Sequence, residues 1–293
     1  MHLLPVGSAS DVRRVAPERL GNRPGMSPTA SPRPLAVVTG GSSGIGRELA
    51  RQLAERGHDV VLAGDDDAGT KDTARALETY GTTITPFVGD LTDPDMVMAL
   101  HKAVVEIKQP VDVLCLNAGV GANGAFSDGT SLVDDLRLID LTVRSAGHLT
   151  KLELHRMVEA GAGRVLFTSS IASTMPGPYQ AIYNATKAFV SNFAAGIRAE
   201  VKEAGVTVTY FMPGPVDTSF FGRANLGDTK MGQGPKDAPE DVASQALEAL
   251  FAGKPSVVAG NPLVKAQAYA DRFLPEPVKA AAHRVLARPG GAK

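Results

Sequence analysis

The 293-residue chain is 43% apolar and carries a formal net charge of −1. That is enough apolar content for a sizeable core, and the balance gives no electrostatic case for nucleic-acid binding. A single cysteine, Cys115, excludes an internal disulfide framework. Placed in an apolar run, it reads as a buried small hydrophobe in a reducing, cytoplasmic setting. The six histidines form no cluster at metal-ligand spacing, so no metal is expected. No run of about 18 apolar residues occurs, so a membrane-spanning helix is not expected.

Residues 1–33 are dominated by Pro, Gly, Ser and Arg, the composition of a disordered leader. The apolar run from Leu3 to Val6 is too short, and too broken by proline, for a signal-peptide core. Arg13, Arg14, Arg19 and Arg23 point toward a transit peptide, while Asp11 and Glu18 argue against one. Met26 offers an alternative start close to the first strand. From Leu35 the pattern alternates. Strands are expected at Leu35–Thr39, His58–Ala63, Thr83–Val88, Val111–Leu116, Arg164–Thr168, Val206–Phe211 and Ser256–Ala259. Helical patterns fill the gaps at about Ile45–Arg56, Ala68–Tyr80, Pro94–Ile107, Leu132–Glu159 (broken near Gly147) and Tyr179–Glu203. Apolar strands spaced by helices imply a parallel sheet covered on both faces, a Rossmann-like doubly wound α/β fold of about seven strands. Ligands then bind at the carboxyl ends of the strands. One catalytic domain is expected over 34–260. Residues 219–238 are poor in apolar side chains and read as a mobile lid over a substrate. Residues 261–293 read as an amphipathic helical tail, docked on its own domain or a neighbouring subunit, or else lying on a membrane surface.

Three features carry the chemistry. Tyr183 and Lys187 stand four apart, which in a helix puts both on one face. Ser170 lies thirteen residues before Tyr183, at the end of the fifth strand. Far upstream, Thr39-Gly-Gly-Ser-Ser-Gly-Ile-Gly46 joins the first strand to the first helix. Gly40 permits a tight exit, Gly44 lets backbone come close to a pyrophosphate, and Gly46 allows close packing. The helix N-terminus then offers free N–H groups and partial positive charge to phosphates. The second strand ends in Gly64-Asp65-Asp66-Asp67, where a carboxylate can accept from ribose hydroxyls and would repel a 2′-phosphate.

Together these residues resemble the short-chain dehydrogenase/reductase family, from roughly Pro34 to Gly260. The resemblance implies an oxidoreductase using NAD, with NADP as the second choice, on a small alcohol or carbonyl substrate. It places Thr39, Gly40, Ser42, Ser43, Gly44, Ile45 and Gly46 against the cofactor. Asp65 falls where an acid goes with NAD, and Asp90 with Leu91 falls beside the adenine. Asn117-Ala118-Gly119 would line the cleft, and Pro213, Gly214, Val216 and Thr218 would meet the nicotinamide end. Tyr183 would be the acid/base and Lys187 would lower its pKa and hold the nicotinamide ribose. Ser170 would hold the substrate oxygen. The family usually carries an asparagine in the long helix, holding a water in a proton relay to the lysine. Here that position falls on Thr142, or on Asp140 under a two-residue shift. Homodimers or homotetramers formed through the long helices are implied. An NAD-binding regulator or scaffold with weak or no turnover is the alternative reading.

Overall fold

The computed structural model describes residues 33–292. The leader expected over 1–33 therefore lies, apart from Arg33, outside the described residues. From Leu35 the elements alternate as the apolar runs require. Strands β1 (Leu35–Thr39), β2 (Asp59–Gly64), β3 (Ile84–Val88), β4 (Val111–Leu116), β5 (Gly163–Thr168), β6 (Val206–Pro213) and β7 (Ser256–Ala259) form one sheet. Its order is β3-β2-β1-β4-β5-β6-β7, and every pairing is parallel.

The inner strands read as nearly continuous apolar runs because both faces of the sheet are covered there. In β1, Ala36 and Val38 point into one core layer, and Leu35 and Val37 into the other. The first layer is closed by α1 (Gly44–Glu55), α2 (Asp67–Leu77) and α9 (Pro239–Phe251). The second is closed by α3 (Pro94–Glu106), α5 (Ser145–Ala160) and α6 (Ala181–Val201). Pro86 lies in β3, at an edge of the sheet, the place where a residue without an N–H is tolerated. Cys115 is fully buried in β4, with burial raising its thiol pKa, as an inert small hydrophobe should be.

Three differences from the sequence reading matter for the site. The long helix breaks earlier than Gly147. It runs as α4 (Leu132–Ile139), a π turn over Asp140–Arg144, and α5. The extra residue in the turn shifts the helix face without any proline. Helix α9 was not expected, although Pro239 at its first turn and acids Glu240 and Asp241 beside it are strong start signals. The segment after β6, read as mobile for its low apolar content, is built around anchors. Short helices α7 (Phe220–Arg223) and α8 (Lys230–Gln233) flank Ala224, Leu226 and Thr229, all fully buried. Thr229 Oγ1 donates to Leu226 O at 2.7 Å and accepts from Gly232 N at 2.9 Å. Two further helices, α10 (Pro262–Ala270) and α11 (Glu276–Ala287), complete the chain.

Candidate active site

The strand order reverses between β1 and β4, and the turns after these two strands bound a cleft of about 690 Å³. The Gly turn forms its floor. Gly40 has φ +66°, and a Cβ there would lie 2.9 Å from Ala118 Cα. At Gly46 a Cβ would come within 1.9 Å of Gly40 O, so helix α1 starts against the turn itself only because no side chain intervenes. Ser43 is the N-cap of α1, yet its side chain makes no capping bond. The first N–H groups of the helix are thus left for an acceptor in the cleft. This is a cradle that any side chain would fill, and it fits a dinucleotide pyrophosphate.

Asn117 ties the turn to its neighbours. Its Nδ2 donates to Thr39 O and Gly40 O at 3.2 and 3.3 Å, and its Oδ1 accepts from Thr168 Oγ1 at 3.0 Å. Thr39 Oγ1 in turn accepts from the N–H groups of Asn117 and Ala118, each at 3.0 Å. Thr39 and Asn117 therefore hold the ends of β1, β4 and β5 in register, while Gly40, Ser42, Ser43, Gly44, Ile45, Ala118 and Gly119 line the cleft. Gly214, Val216 and Thr218 line the opposite wall with Pro213. A Cβ on Gly44 would lie 2.8 Å from Thr218 Cγ2, so these two walls meet over the turn.

At the far end, Asp65 and Leu91 line the cleft beside Asp90. Burial raises the Asp90 pKa, but bonds from the Thr92 backbone N–H and hydroxyl, with the Arg137 charge, outweigh it and leave the carboxyl low. Arg137, on α4, was missed from the sequence. Its Nη2 lies 3.7 Å from Asp65 Oδ2 and 3.2 Å from Asp90 Oδ2. Arg137 comes from a helix far from Asp65 in the chain, so only the fold brings it there.

The catalytic candidates meet at the centre. Ser170 lies just beyond β5 and caps a turn, its Oγ accepting from Ala172 N at 3.1 Å. Tyr183 and Lys187 share a face of α6, with Lys187 Nζ 5.8 Å from the Tyr183 ring centroid. Lys187 Nζ donates to Thr168 O at 2.9 Å. Burial pushes the lysine down to about 8. Tyr183 is half-buried and lines the cleft, in desolvating surroundings. Burial pushes the phenol up to about 12, with the Ser170 hydroxyl pulling the other way. The sequence reading had Lys187 lowering that pKa. In the protein alone desolvation wins, because the ammonium is turned to a carbonyl.

Thr142 and Asp140 both sit in the π turn. Thr142 is 3% exposed, its Oγ1 has no partner, and it lines a cavity of about 10 Å³ that Lys187 also lines. That is room for about one water. Asp140 instead pairs with Arg144 at 3.1 Å on the surface.

The lid and tail close the cleft. The Phe220 ring lies 5.6 Å from that of Tyr183. Asn261 Oδ1 caps α10 by accepting from Leu263 and Val264 N–H groups at 2.9 and 3.1 Å. From α11, Lys279 Nζ donates to Thr174 O at 3.0 Å, and His283 Nδ1 bonds Pro178 O at 3.2 Å. Leu263, Val264, Gln267, His283 and Leu286 all line the cleft, so the tail is a wall of the site. Their site role was invisible in sequence, since only generic apolar periodicity marks these helices. Among the described residues no group of three or more His, Cys, Asp or Glu side chains can hold a metal, and no helix is long and apolar enough to cross a membrane.

Comparison with known proteins agrees with this fold. A family model described as short chain dehydrogenase matches residues 34–228. The chain belongs to that oxidoreductase family. It is 34% identical over 199 residues to mouse (Mus musculus) dehydrogenase/reductase SDR family member 7B, covering 66% of this chain and 61% of that protein. The match thus spans less than two thirds of the mouse protein. An uncharacterized oxidoreductase of Staphylococcus saprophyticus is 30% identical over 217 residues, 74% of this chain and 90% of that one. Among solved structures, a short-chain dehydrogenase from Sphingobium yanoikuyae in complex with NADPH superposes with a TM-score of 0.72 at 26% identity. The superposition covers 83% of this chain and 97% of that one.

Proposed function

We propose that the protein interconverts a secondary alcohol and a ketone, with a nicotinamide dinucleotide held in the cleft. The observation that carries this is the convergence of Ser170, Tyr183 and Lys187 in the cleft that the Gly turn floors. A bound nicotinamide supplies or accepts the hydride. The free N–H groups of α1 would hold the pyrophosphate, and Lys187 would hold the ribose hydroxyls. Ser170 donates to the substrate oxygen and holds it at the Tyr183 hydroxyl. In reduction, that hydroxyl gives its proton to the developing alkoxide; in oxidation the phenolate takes it back. Burial keeps the Tyr183 hydroxyl protonated in the protein alone, and a charge brought near it in the complex has to lower it again for the phenolate to form. Asp65 favours NAD over NADP, and the protein works as a homodimer or homotetramer.

Replacing Tyr183 by Phe removes only the hydroxyl. Turnover of ketones should fall by about a thousandfold or more while NADH binding, read by fluorescence titration, persists. Unchanged turnover would remove the proton-transfer assignment. The unpartnered Thr142 hydroxyl favours a second reading, of a binding protein with slow turnover; a panel of ketones read through NADH oxidation separates the two.

A further inference from the structure

His283 is the one residue with a buried, partnerless side-chain atom that also lines the large cleft, among the described residues. It is 2% exposed, on α11. Its Nδ1 faces Pro178 O at 3.2 Å. A carbonyl only accepts, so this bond assigns the proton to Nδ1. Burial lowers the imidazole pKa, against the pull of the Pro178 carbonyl, and so favours the neutral ring. Nε2 is then a bare acceptor, buried, with no donor. Such an orphan is costly, and a ligand that supplies the donor recovers the cost.

The ring is held firmly. Pro178 lies five residues before Tyr183, and Lys279 pins the same helix to Thr174. At its end, Gly290 N donates to Asp228 Oδ2 at 2.8 Å, tying the tail to the segment between α7 and α8. The cleft that His283 lines carries the apolar side chains of Met175, Phe220, Leu226 and Leu286, with Gln180, Arg223 and Lys230 also in its lining. Cofactor and substrate share this one cleft of about 690 Å³.

We propose that His283 forms a substrate-recognition subsite. Its Nε2 accepts a hydrogen bond from a second hydroxyl, separate from the reacting oxygen, on a bulky and otherwise apolar ketone or alcohol. The proposal rests on the oxidoreductase reading for its reacting carbon, and its test is separable from it. The probes are phenylbutanone, phenylcyclohexanone and androstanone, each as the parent, as the analogue hydroxylated at the end remote from the carbonyl, and as that analogue's methyl ether. Binding is measured at equilibrium on the NADH-saturated protein, and turnover is measured in parallel.

In at least one set the hydroxy ketone should bind about tenfold tighter than both its parent and its ether. The ether keeps an acceptor and loses the donor, so it isolates the polarity assigned to Nε2. In His283→Phe the ratio should fall to about one, and in His283→Gln, whose amide oxygen accepts, part of it should return. Equal binding of hydroxy ketone and ether in every set overturns the proposal, as does a preference that survives in His283→Phe. Failure of all three sets to bind overturns the substrate class. If His283→Phe does not fold, the wild-type ratio of hydroxy ketone to ether and the His283→Gln variant decide. Discrimination in binding without turnover retires the oxidoreductase reading and leaves the subsite. Turnover without discrimination does the reverse.

Discussion

Lys187 sits where two demands compete. Burial favours its neutral amine, lowering it to about 8, whereas the ribose hydroxyls call for an ammonium. Below about 8 the charge is present; above it the amine loses the charge-assisted bond. NADH affinity should therefore weaken by roughly fivefold between about pH 7 and about pH 9, and Lys187→Met should flatten that profile. A wild-type affinity constant across the range would show that Lys187 does not serve the cofactor. Arg137 poses the matching question at the adenosine end. The pair with Asp65 is long, and Arg137 is 42% exposed in its side chain, so the interaction is screened and modest. It still softens the negative edge that should exclude a 2′-phosphate. Arg137→Leu should raise the NADPH dissociation constant about tenfold with little change for NADH. A parallel change for both cofactors would mean that Arg137 acts on a part they share.

The π turn is the element that decides what Thr142 can do. One residue more than an α-helical turn turns Thr142 inward, to the small cavity beside Lys187, and leaves Asp140 outside with Arg144. A threonine hydroxyl is a short arm and readily bonds its own helix, yet here it bonds nothing. An amide would place a donor and an acceptor further into the cavity. Thr142→Asn should raise ketone turnover a few-fold and leave NADH affinity within about twofold, at a stability cost of about 1 kcal/mol or less. Steady-state kinetics on the same ketone decide it, and equal or lower turnover removes Thr142 from the relay. Helix α11 carries the same lesson at the other end of the cleft, where one wall of the site is set by packing of a late segment onto the loop before Tyr183.

Among the described residues two stretches leave large apolar side chains exposed, the tail, with Leu263, Tyr269 and Phe273, and the start of α4. Leu132 and Val133 at the start of α4 are 72% and 75% exposed, with Leu136 beside them. An exposed apolar cluster on a helix is a candidate contact surface. The protein should sediment as a dimer or tetramer at about 10 μM if that face buries the area of a stable interface. Val133→Glu should shift it toward monomer. A wild-type monomer at that concentration would show that the α4 face has another use.

The sheet was legible because its inner strands, buried on both faces, are apolar almost throughout, and the edge strands β3 and β7 still stand out as short runs, with β1, β4 and β7 at the limits expected. The Gly turn was legible for a local reason too. Gly40 and Gly46 occupy places where a Cβ meets backbone, a constraint set within one turn and its neighbour. The spacing of Tyr183 and Lys187 is likewise a property of one helix. Other features depend on residues far apart in the chain and on a competition of forces, and these only the tertiary structure decided. Arg137 reaches Asp65 across more than one element, His283 reaches the Tyr183 loop from the tail, and the anchors of Leu226 and Thr229 look like ordinary loop residues until they are packed. The inward turn of Thr142 depends on one extra residue in a helical turn, which periodicity cannot locate. The high phenol and low lysine follow from burial, and burial is a property of the assembled cleft and not of the residues that form it.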